Sequence, residues 1–478
     1  MTLRLHDTLS GETQPLAPVD GETVRIYSCG PTVYGPAHIG NFRSFLFADL
    51  LVRYLRWRGQ PVRWVMNITD IDDKIIRGAA AAGIGIVELA NRFLEGFLAD
   101  ADVLRMTRPD VLPRATEHID EMVALIGTLL ERGHAYRTED GSIFFRIASW
   151  PNYGRLAKLD PEQLRVGERV EADESGKDDV RDFALWKGPK PGEPSWDTAI
   201  GPGRPGWHIE CSAMSMRHLG ESFDIHTGGV DLIFPHHEDE IAQSEAATGQ
   251  RFVTTWLHCD HLRVGGEKMA RRSGQFLRPS DVLEQGWSAR ALRYALLAAH
   301  YRAPLEFGDE TMPGAASAVE RLSTALAALD LAALRTGSPP DDPQVGGLLE
   351  SSRDAFEAAL DDDLNVAPAL AAVFDLVREL NRRLADRSLS AADARRAADT
   401  LRDLDRVLAV MEPDATSDGQ PSGEVTALLE ERVAARTARD WVRSDALRDQ
   451  LGALGVLVED TRDGQRWRRS QESGDGAA

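Results

Sequence analysis

A loop spanning residues 29–41 joins an apolar, strand-like run to a run with helical periodicity. The pattern predicts a strand at 24–29, a helix at 41–58 and a second strand at 62–68, which together form a βαβ unit with parallel strands. A loop that leaves the carboxyl end of a strand and enters a helix presents backbone N–H groups to phosphates. Gly40 would let a nucleotide approach the backbone closely. We therefore expect an active site at this loop.

The composition is typical of a soluble globular protein. A chain of 478 residues is too long for one hydrophobic core, and its length predicts roughly three domains. The hydrophobic content of 42% indicates a compact globular protein. Because no signal-peptide pattern and no membrane-spanning apolar run is present, we expect a cytoplasmic protein without membrane association. The net charge of −21 argues against indiscriminate nucleic-acid binding, although a local basic patch can still bind RNA.

The predicted fold class is α/β: a Rossmann-like parallel-sheet domain with an insertion, followed by an α-helical bundle and a small C-terminal α/β appendix. Further strands are predicted at 223–226 and 254–258, and helices at 115–133, 289–300, 313–334, 346–360 and 368–387. The predicted segments are the first half of the sheet domain at 1–109, a connective insertion at 110–200, the second half at 201–278, the bundle at 279–410, a linker at 411–424, the appendix at 425–468 and a disordered tail at 469–478.

Cysteine usage favours metal or thiol chemistry. Three cysteines are too few and too dispersed for a disulfide framework. Cys29 at a strand end and Cys211 in the run 207–214 are the available thiolate ligands for a tetrahedral zinc site. The alternative interpretation, in which both pack as small buried hydrophobic residues, remains open on spacing alone. Packing is the default interpretation for Cys259.

A histidine-rich helix start supplies the other candidate ligands. Pro235 suits the first position of a helix that ends near residue 249. His236 and Glu240 would then lie four residues apart on one face, where an imidazole and a carboxylate can bind one zinc ion. His237 is the competing imidazole. A solvated helix start is the alternative.

Two further loops have a composition that suits nucleotide binding. Gly228, Gly229 and Asp231 follow the strand predicted at 223–226, so the glycines could admit a ribose or adenine while the carboxylate accepts a hydroxyl. A tight turn that needs glycine explains the same residues equally simply. Lys268 and Arg271 lie on a glycine-bounded loop at 265–274 that could close over a triphosphate, although a solvated surface loop is an alternative there too.

A stripe of arginines near the C-terminus could follow an RNA backbone. Arg432, Arg436, Arg439 and Arg443 recur at helical spacing and are predicted to share one face. A plain solvated helix face is the more common use of such a stripe.

Taken in chain order, several motifs resemble the cysteinyl-tRNA synthetases, a class I family. They are Cys-Gly-Pro-Thr-Val-Tyr at 29–34, His-Ile-Gly-Asn at 38–41, Asn-Ile-Thr-Asp-Ile-Asp-Asp-Lys at 67–74, Trp-His-Ile-Glu-Cys at 207–211, Phe-Pro-His-His-Glu at 234–238 and Lys-Met at 268–269. The likeness continues through Ala-Ala-His-Tyr-Arg-Ala-Pro-Leu at 298–305 and Leu-Gly-Ala-Leu-Gly-Val-Leu-Val-Glu-Asp-Thr at 451–461.

The resemblance implies a role for each motif. Residues 38–41 correspond to the family's adenylate-binding signature and residues 268–272 to its second signature loop, with His38, Asn41, Lys268 and Arg271 as catalytic residues. It further implies ATP contacts from Gly40, Gly228, Gly229, Asp231 and Lys268, substrate contacts from Thr32, Tyr34 and Trp207, and zinc ligation by Cys29, Cys211, His236 and Glu240. The second loop departs from the usual Lys-Met-Ser-Lys-Ser because it reads Lys-Met-Ala-Arg-Arg, which loses both hydroxyls.

The resemblance also implies the reaction and its partners. The family activates L-cysteine with ATP and transfers it to the terminal adenosine of tRNA(Cys). The expected cofactors are one zinc ion per subunit, which would select the cysteine thiolate, and Mg²⁺ with ATP. A monomer is expected, with residues 279–410 as the anticodon-binding bundle and 425–468 as a tRNA-recognition domain.

Two alternatives stay open at this point. A mycothiol-type ligase would pass cysteine to an amino-sugar, but that family lacks the full bundle and appendix, so residues 279–468 favour tRNA. A non-catalytic paralogue that binds RNA or zinc is suggested by the altered signature loop. The presence of His38, Lys268 and all four candidate zinc ligands argues against it.

Overall fold

The computed structural model describes residues 2–159, 177–269, 276–336, 338–412, 423–454, 456–461 and 464–469. The chain divides into two compact units, Met1–Met411 and Glu412–Ala478. Among the described helices, none combines the length and apolarity needed to cross a bilayer. The predicted disordered tail, most of the predicted linker and Arg271 lie outside the described residues.

The first unit begins with the elements of the sheet domain and its insertion. They are β1 Arg4–Asp7, β2 Glu12–Pro15, β3 Val24–Ser28, α1 Ile39–Trp57, β4 Val62–Met66, α2 Asp73–Ala82, α3 Ile86–Val103, α4 Ile119–Glu131, β5 Ala135–Arg137, β6 Ile143–Phe145, β7 Phe183–Lys187 and β8 Arg204–Pro205. The sheet domain then continues with α5 Trp207–Leu219, β9 Phe223–Gly229, α6 Glu238–Thr248, β10 Val253–Cys259, β11 Leu262–Val264 and β12 Glu267–Lys268. The helical region contains α7 Pro279–Glu284, α8 Ala289–Leu297, β13 Leu305–Glu306, α9 Thr311–Ala333, α10 Pro343–Asp361, α11 Val366–Ala385 and α12 Ala391–Leu408.

The central sheet has the strand order β10-β9-β3-β4, and every neighbouring pair is parallel. Side chains of β3 alternate between two cores, because Val24 and Ile26 pack with α1 while Tyr27 packs with α4, α5 and α6. Helices thus cover both faces, as a parallel sheet requires. The predicted α/β fold with a parallel sheet is confirmed.

Helix α1 is buried on almost every side, since it lies between the sheet and helices α8 and α12. One continuous apolar core therefore runs from the sheet into the helical region. The predicted helices of this region form with bounds shifted by a few residues; α8, for example, ends at Leu297 and not at residue 300.

The segment between α4 and α5 contains an antiparallel sheet of order β5-β6-β7-β8, which the sequence pattern did not predict. These strands are only two to five residues long, too short for a clear alternation of apolar and polar positions. The single helix predicted at 115–133 is instead a 3₁₀ turn at Ala115–Glu117 followed by α4.

The expected helix start at Pro235 is wrong. The Phe234–Pro235 peptide is cis, and Phe234 has an extended backbone with φ −137° and ψ 134°. Residues before proline are sterically biased toward this region, so Phe234 lies outside any regular helix. A short π-type segment, Ile233–His237, spans this peptide, and its wider turn means that regular α6 begins only at Glu238.

The second unit contains helices α13 Gly423–Thr437 and α14 Trp441–Ala453 and an antiparallel hairpin of β14 Val456–Thr461 and β15 Gly464–Arg469. The single arginine face predicted here is wrong. Arg432 is fully buried, Arg439 lies beyond the end of α13 with φ 58°, and Arg443 lies on α14. The turn after residue 437 breaks the helical period that the spacing suggested.

Candidate active site

A cavity of about 590 Å³ opens at the carboxyl ends of β3, β4 and β9. It brings together most of the residues singled out in the sequence: Cys29, Thr32, Tyr34, His38, Gly40, Asn41, Trp207, Cys211, Gly229, Asp231, His236 and Lys268. Glu240 and Gly228 are buried and stand outside this lining. Ligand sites at strand ends are usual for open parallel sheets.

His38 forms the N-cap of α1 together with Asn41. The Asn41 backbone N–H donates to His38 Nδ1 at 3.1 Å, and the His38 backbone N–H donates to Asn41 Oδ1 at 3.1 Å. This reciprocal pair is a capping box with imidazole and amide in place of the usual hydroxyl and carboxylate. Because Nδ1 accepts a hydrogen bond, the neutral ring carries its proton on Nε2, which is then a donor.

The predicted zinc ligands meet at one point. Cys29, Cys211, His236 and Glu240 each place one ligand atom within 4.8 Å of the other three. The two sulfur atoms are 3.8 Å apart, and His236 Nε2 is 3.1 Å from Glu240 Oε1. Cys29 follows β3, Cys211 lies on α5, His236 lies in the π-type segment before α6, and Glu240 lies in the first turn of α6.

A second set overlaps the first. Cys29 and Glu240 also lie within 4.8 Å of His226 and His237, the latter being the competing imidazole of the sequence pattern. His226 and His237 are fully buried and do not line the cavity, whereas Cys211 and His236 do. A metal that must meet a substrate therefore fits the first set better.

The part of the cavity where the sequence predicts nucleotide binding contains an ion pair. Lys268 Nζ lies 3.0 Å from Asp231 Oδ2, with both side chains nearly half exposed. Burial alone would raise the pKa of the Asp231 carboxyl, but the Lys268 ammonium, together with His261 and a backbone hydrogen bond, lowers that pKa below its usual value.

The two glycines before this carboxylate have different neighbours. A Cβ at Gly228 would lie 2.5 Å from His237 Cε1, and one at Gly229 would lie 2.6 Å from Asp231 Oδ1. Side-chain packing therefore already requires a glycine at Gly228.

Three family models match the chain. The class I (C) catalytic domain of tRNA synthetases matches residues 15–317, a DALR domain matches 355–412, and the cysteinyl-tRNA ligase anticodon binding domain matches 418–468. Among curated relatives, the cysteine–tRNA ligases of Koribacter versatilis and Symbiobacterium thermophilum are 42% and 45% identical, over 98% of this chain and 100% of each relative. The chain belongs to the cysteine–tRNA ligase family. It is an aminoacyl-tRNA synthetase of class I, and the resemblance read from its motifs is confirmed.

Solved structures of other synthetases share the fold of this ligase. Methionyl-tRNA synthetase of Mycobacterium tuberculosis, bound by methionyl-adenylate, aligns with a TM-score of 0.59 at 17% identity, over 81% of this chain and 90% of that one. The LeuRS of Agrobacterium radiobacter, in a ternary complex with tRNA, aligns with a TM-score of 0.57 at 12% identity, over 82% and 83%. At such identities the likeness concerns the fold alone.

Electrostatics at the ligand cluster of this ligase favour neutral groups. Burial raises the pKa of the Cys29 and Cys211 thiols and of the Glu240 carboxyl, and it lowers the pKa of the His236 imidazole. Two thiols, an imidazole and a carboxylic acid therefore share a desolvated space without charge. A divalent cation would stabilise the thiolates and the carboxylate and would release their protons.

Histidines surround the cluster and orient it. His208 Nδ1 lies 2.9 Å from His236 Nδ1, and His208 Nε2 lies 3.4 Å from Asp239 Oδ2. Burial lowers the pKa of His208 to about 3, so this ring is neutral. The indole of Trp207 stacks on His236 with ring centroids 4.2 Å apart. If His236 Nε2 is to bind a metal through its lone pair, the ring must carry its proton on Nδ1. This N–H then donates a hydrogen bond to His208 Nδ1.

Sequence reasoning assigned no role to the residues that follow β4. The Gly30 backbone N–H donates to Asn67 Oδ1 at 2.8 Å, and a Cβ at Gly30 would meet the Asn67 carbonyl oxygen. The Thr69 hydroxyl donates to the buried Glu210 carboxylate at 2.9 Å. Lys74 lines the cavity. The motif at 67–74 carried the family resemblance, but its spacing alone contained no chemical signal.

Proposed function

We propose that this ligase activates L-cysteine with ATP, selects it through a zinc ion, and transfers it to the terminal adenosine of tRNA(Cys). The observation that carries the proposal is the meeting of Cys29, Cys211, His236 and Glu240 at one end of a loop whose other end is the His38 cap of α1. Both substrates of the first step can thus be held along one short stretch of chain.

The four proposed ligands suit zinc. Two soft thiolates, an imidazole and a carboxylate are a donor set that zinc accepts in tetrahedral sites. When bound, zinc would supply a Lewis acid that binds the substrate thiolate. Serine is nearly isosteric with cysteine, but its neutral hydroxyl is a poor zinc ligand, so this site could discriminate where a pocket of the same shape could not.

The first step joins the cysteine carboxylate to the α-phosphorus of Mg-ATP, and pyrophosphate leaves. We assign His38 Nε2–H as a donor to the phosphate oxygens and Asn41 as the residue that holds the ring in that tautomer. Lys268 and Arg271 would neutralise the leaving pyrophosphate. Arg271 lies outside the described residues, so its role stays a prediction.

The remaining contacts are assigned by position in the cavity. Gly40 and Gly229 line the cavity and would leave room for the nucleotide, and Asp231 would accept a ribose hydroxyl. Gly228 lies outside the lining, so its predicted contact with ATP stays a prediction. Thr32, Tyr34 and Trp207 line the amino-acid side and would enclose cysteine. In the second step a ribose hydroxyl of tRNA attacks the cysteinyl carbonyl carbon, an ester forms and AMP leaves.

We further infer a division of labour along the chain. Residues 1–109 and 201–278 would carry the chemistry, 110–200 would form the connective insertion, and 279–410 and 425–468 would bind tRNA. The anticodon-binding family model at 418–468 supports tRNA as the acceptor over an amino-sugar. A cytoplasmic monomer remains our expectation.

The zinc assignment is tested by metal analysis and by cysteine-dependent ATP–pyrophosphate exchange. We expect one zinc ion per chain in the wild type, and in Cys211→Ser a loss of most of the zinc with an exchange rate reduced roughly 100-fold or more. Cys259→Ser is the matched control, because this third thiol is buried outside the cluster. Unchanged zinc content in Cys211→Ser would exclude the ligand set.

A further inference from the structure

Lys74 is a cation at the cavity that the reaction described above does not use. It lies in the first turn of α2, is solvent-exposed and lines the cavity. Its Nζ is 5.2 Å from the centroid of the Tyr34 ring. A cation over an aromatic face is held in place while its remaining surface stays available to a ligand.

The carboxylates nearest in sequence to Lys74 form hydrogen bonds or ion pairs with other residues. Asp70 accepts hydrogen bonds from the backbone and hydroxyl of Thr116, at 3.0 and 2.7 Å. Asp72 caps α2, and Asp73 pairs with Lys187 at 2.8 Å. Within the described part of the chain, no carboxylate lies within salt-bridge distance of the Lys74 ammonium. Its charge is therefore available to an anionic ligand.

Lys74 and Lys268 lie on opposite sides of the cavity. Helix α2 follows β4 at one edge of the sheet, whereas Lys268 pairs with Asp231 just beyond the end of β9. Strands β4 and β9 flank β3, so they are roughly 10 Å apart at the usual strand spacing. The triphosphate would be held on the Lys268 side. The β4 side of the cavity therefore offers a separate cation to a second anionic group.

The position of α2 is fixed from outside the sheet. Asp73 forms ion pairs with Lys187 at the end of β7 and with Arg204 in β8, so two strands of the antiparallel sheet hold the first turn of this helix. Lys74 therefore lies on a helix turn that is fixed in place beside the cavity. Such an element can position a charge better than a free loop can.

We propose that Lys74 binds the last phosphodiester of tRNA, the one that joins the terminal adenosine, during the transfer step. This rests on the two-step reaction proposed above. The terminal ribose must reach the cysteinyl carbonyl while the adenylate fills the β9 side, so the acceptor strand enters from the β4 side with its phosphate charges. The final phosphate is the charge that must come closest to the cavity, and Lys74 neutralises it.

The test separates the two steps in the full-length enzyme. Lys74→Ala, Lys74→Arg and the control Arg77→Ala are compared with the wild type; Arg77 is exposed on the same helix and does not line the cavity. We expect cysteine-dependent ATP–pyrophosphate exchange within about twofold of wild type in every variant. Single-turnover charging at subsaturating tRNA should fall roughly tenfold or more in Lys74→Ala, recover largely in Lys74→Arg and stay normal in Arg77→Ala.

A chemically altered tRNA identifies the contact. Replacing the last phosphodiester with a neutral methylphosphonate should slow charging by the wild type about as much as Lys74→Ala does, and should slow that variant little further. If the loss caused by Lys74→Ala and the loss caused by the methylphosphonate were fully additive, the proposed contact would be overturned. Slower exchange or a raised KM for cysteine in Lys74→Ala would assign Lys74 to the first step and overturn the proposal. Unchanged charging by Lys74→Ala would also overturn it. A wild type without exchange activity would overturn the proposed reaction, and this inference with it.

Discussion

Cys29 and His38 occupy the two ends of one loop and have different surroundings. Cys29 lies in a buried cluster whose thiols and carboxyl would lose their protons when a divalent cation binds. His38 is held by Asn41 as a hydrogen-bond donor at the start of a helix. Sequence spacing identified both residues but could not choose between His236 and His237. Only the fold separates these two, because His236 lines the cavity whereas His237 is fully buried away from it.

Asp231 carries a prediction about the nucleotide side. Asp231→Asn removes a carboxylate that is ionised at neutral pH, because the pKa of this group is lowered by Lys268. If the carboxylate accepts a ribose hydroxyl, loss of this charged hydrogen bond should raise the KM for ATP in the exchange assay roughly tenfold. The KM for cysteine should not change.

Glu267→Gln is the matched control for this variant, because Glu267 is an exposed carboxylate next to Lys268. It should leave both KM values unchanged. A wild-type KM for ATP in Asp231→Asn would remove Asp231 from the nucleotide site.

At the scale of elements, the long helices could be predicted from the sequence because many residues share one period. The strands of the central sheet could be predicted because they are apolar runs that flank the helical period of α1 or end at glycine-rich loops. Short features could not. The strands of the insertion have too few residues to show alternation, and the arginine spacing at 432–443 was misleading because a turn after residue 437 interrupts it. The secondary structure of these segments depends on tertiary contacts, which a local sequence pattern cannot reveal.

Helix α1 joins the sheet to the helical region through a fully buried ion pair. Arg293 donates to Asp49 Oδ2 at 2.7 Å, to the Leu408 carbonyl at 2.7 Å and to the Leu104 carbonyl at 3.0 Å, so one guanidinium links α8 to α1 and to the ends of α3 and α12. Asp49→Asn should destabilise the unit by about 3–5 kcal/mol, because it leaves the arginine charge buried without a counter-charge.

Chemical denaturation of wild type, Asp49→Asn and the double variant Asp49→Asn/Arg293→Met measures this effect. Replacing both partners removes the unpaired charge, so the double variant should be more stable than Asp49→Asn alone. Equal stability of wild type and Asp49→Asn would mean that the pair contributes nothing.

The junction of α3 with the start of α7 predicts a pH dependence. Burial raises the pKa of Asp100 to about 6, partly opposed by Arg278. Since the folded-state pKa lies above the unfolded value, ionisation of Asp100 destabilises the fold, and this cost grows as pH rises from about 4 to about 6 and is complete above that range. Asp100→Asn should therefore stabilise the fold at pH 7.5, which would raise the melting temperature, and should do so less at pH 4.5. Because solvent partly screens this half-buried carboxyl, we expect a gain below about 2 kcal/mol in the free energy of unfolding. An equal gain at both values of pH would exclude ionisation as the cause.

The first unit has two large cores, one on each face of the sheet, and the second unit has a small core of its own. Of the two large cores, the one that contains α1 is shared with the helical region. This core extends from the sheet to Met411, so the helical region cannot be removed without exposing it. The second unit has its own cluster, formed by Val425, Leu429, Leu451 and Val456. The sequence suggested this boundary through the linker-like composition at 411–424, which is the reason that it could be found without structural information.

A chain that ends at Met411 should therefore separate activation from tRNA recognition. We expect cysteine-dependent exchange within about twofold of the full chain, because the proposed active-site residues lie in the first unit and both of its cores are complete. Charging of tRNA(Cys) should fall roughly 100-fold in kcat/KM, mainly through KM, since residues 418–468 match an anticodon binding domain. Adding the separate 412–478 segment should not restore charging, because the two parts would no longer be linked. Charging at full efficiency by the shortened chain would show that the second unit contributes no tRNA contact.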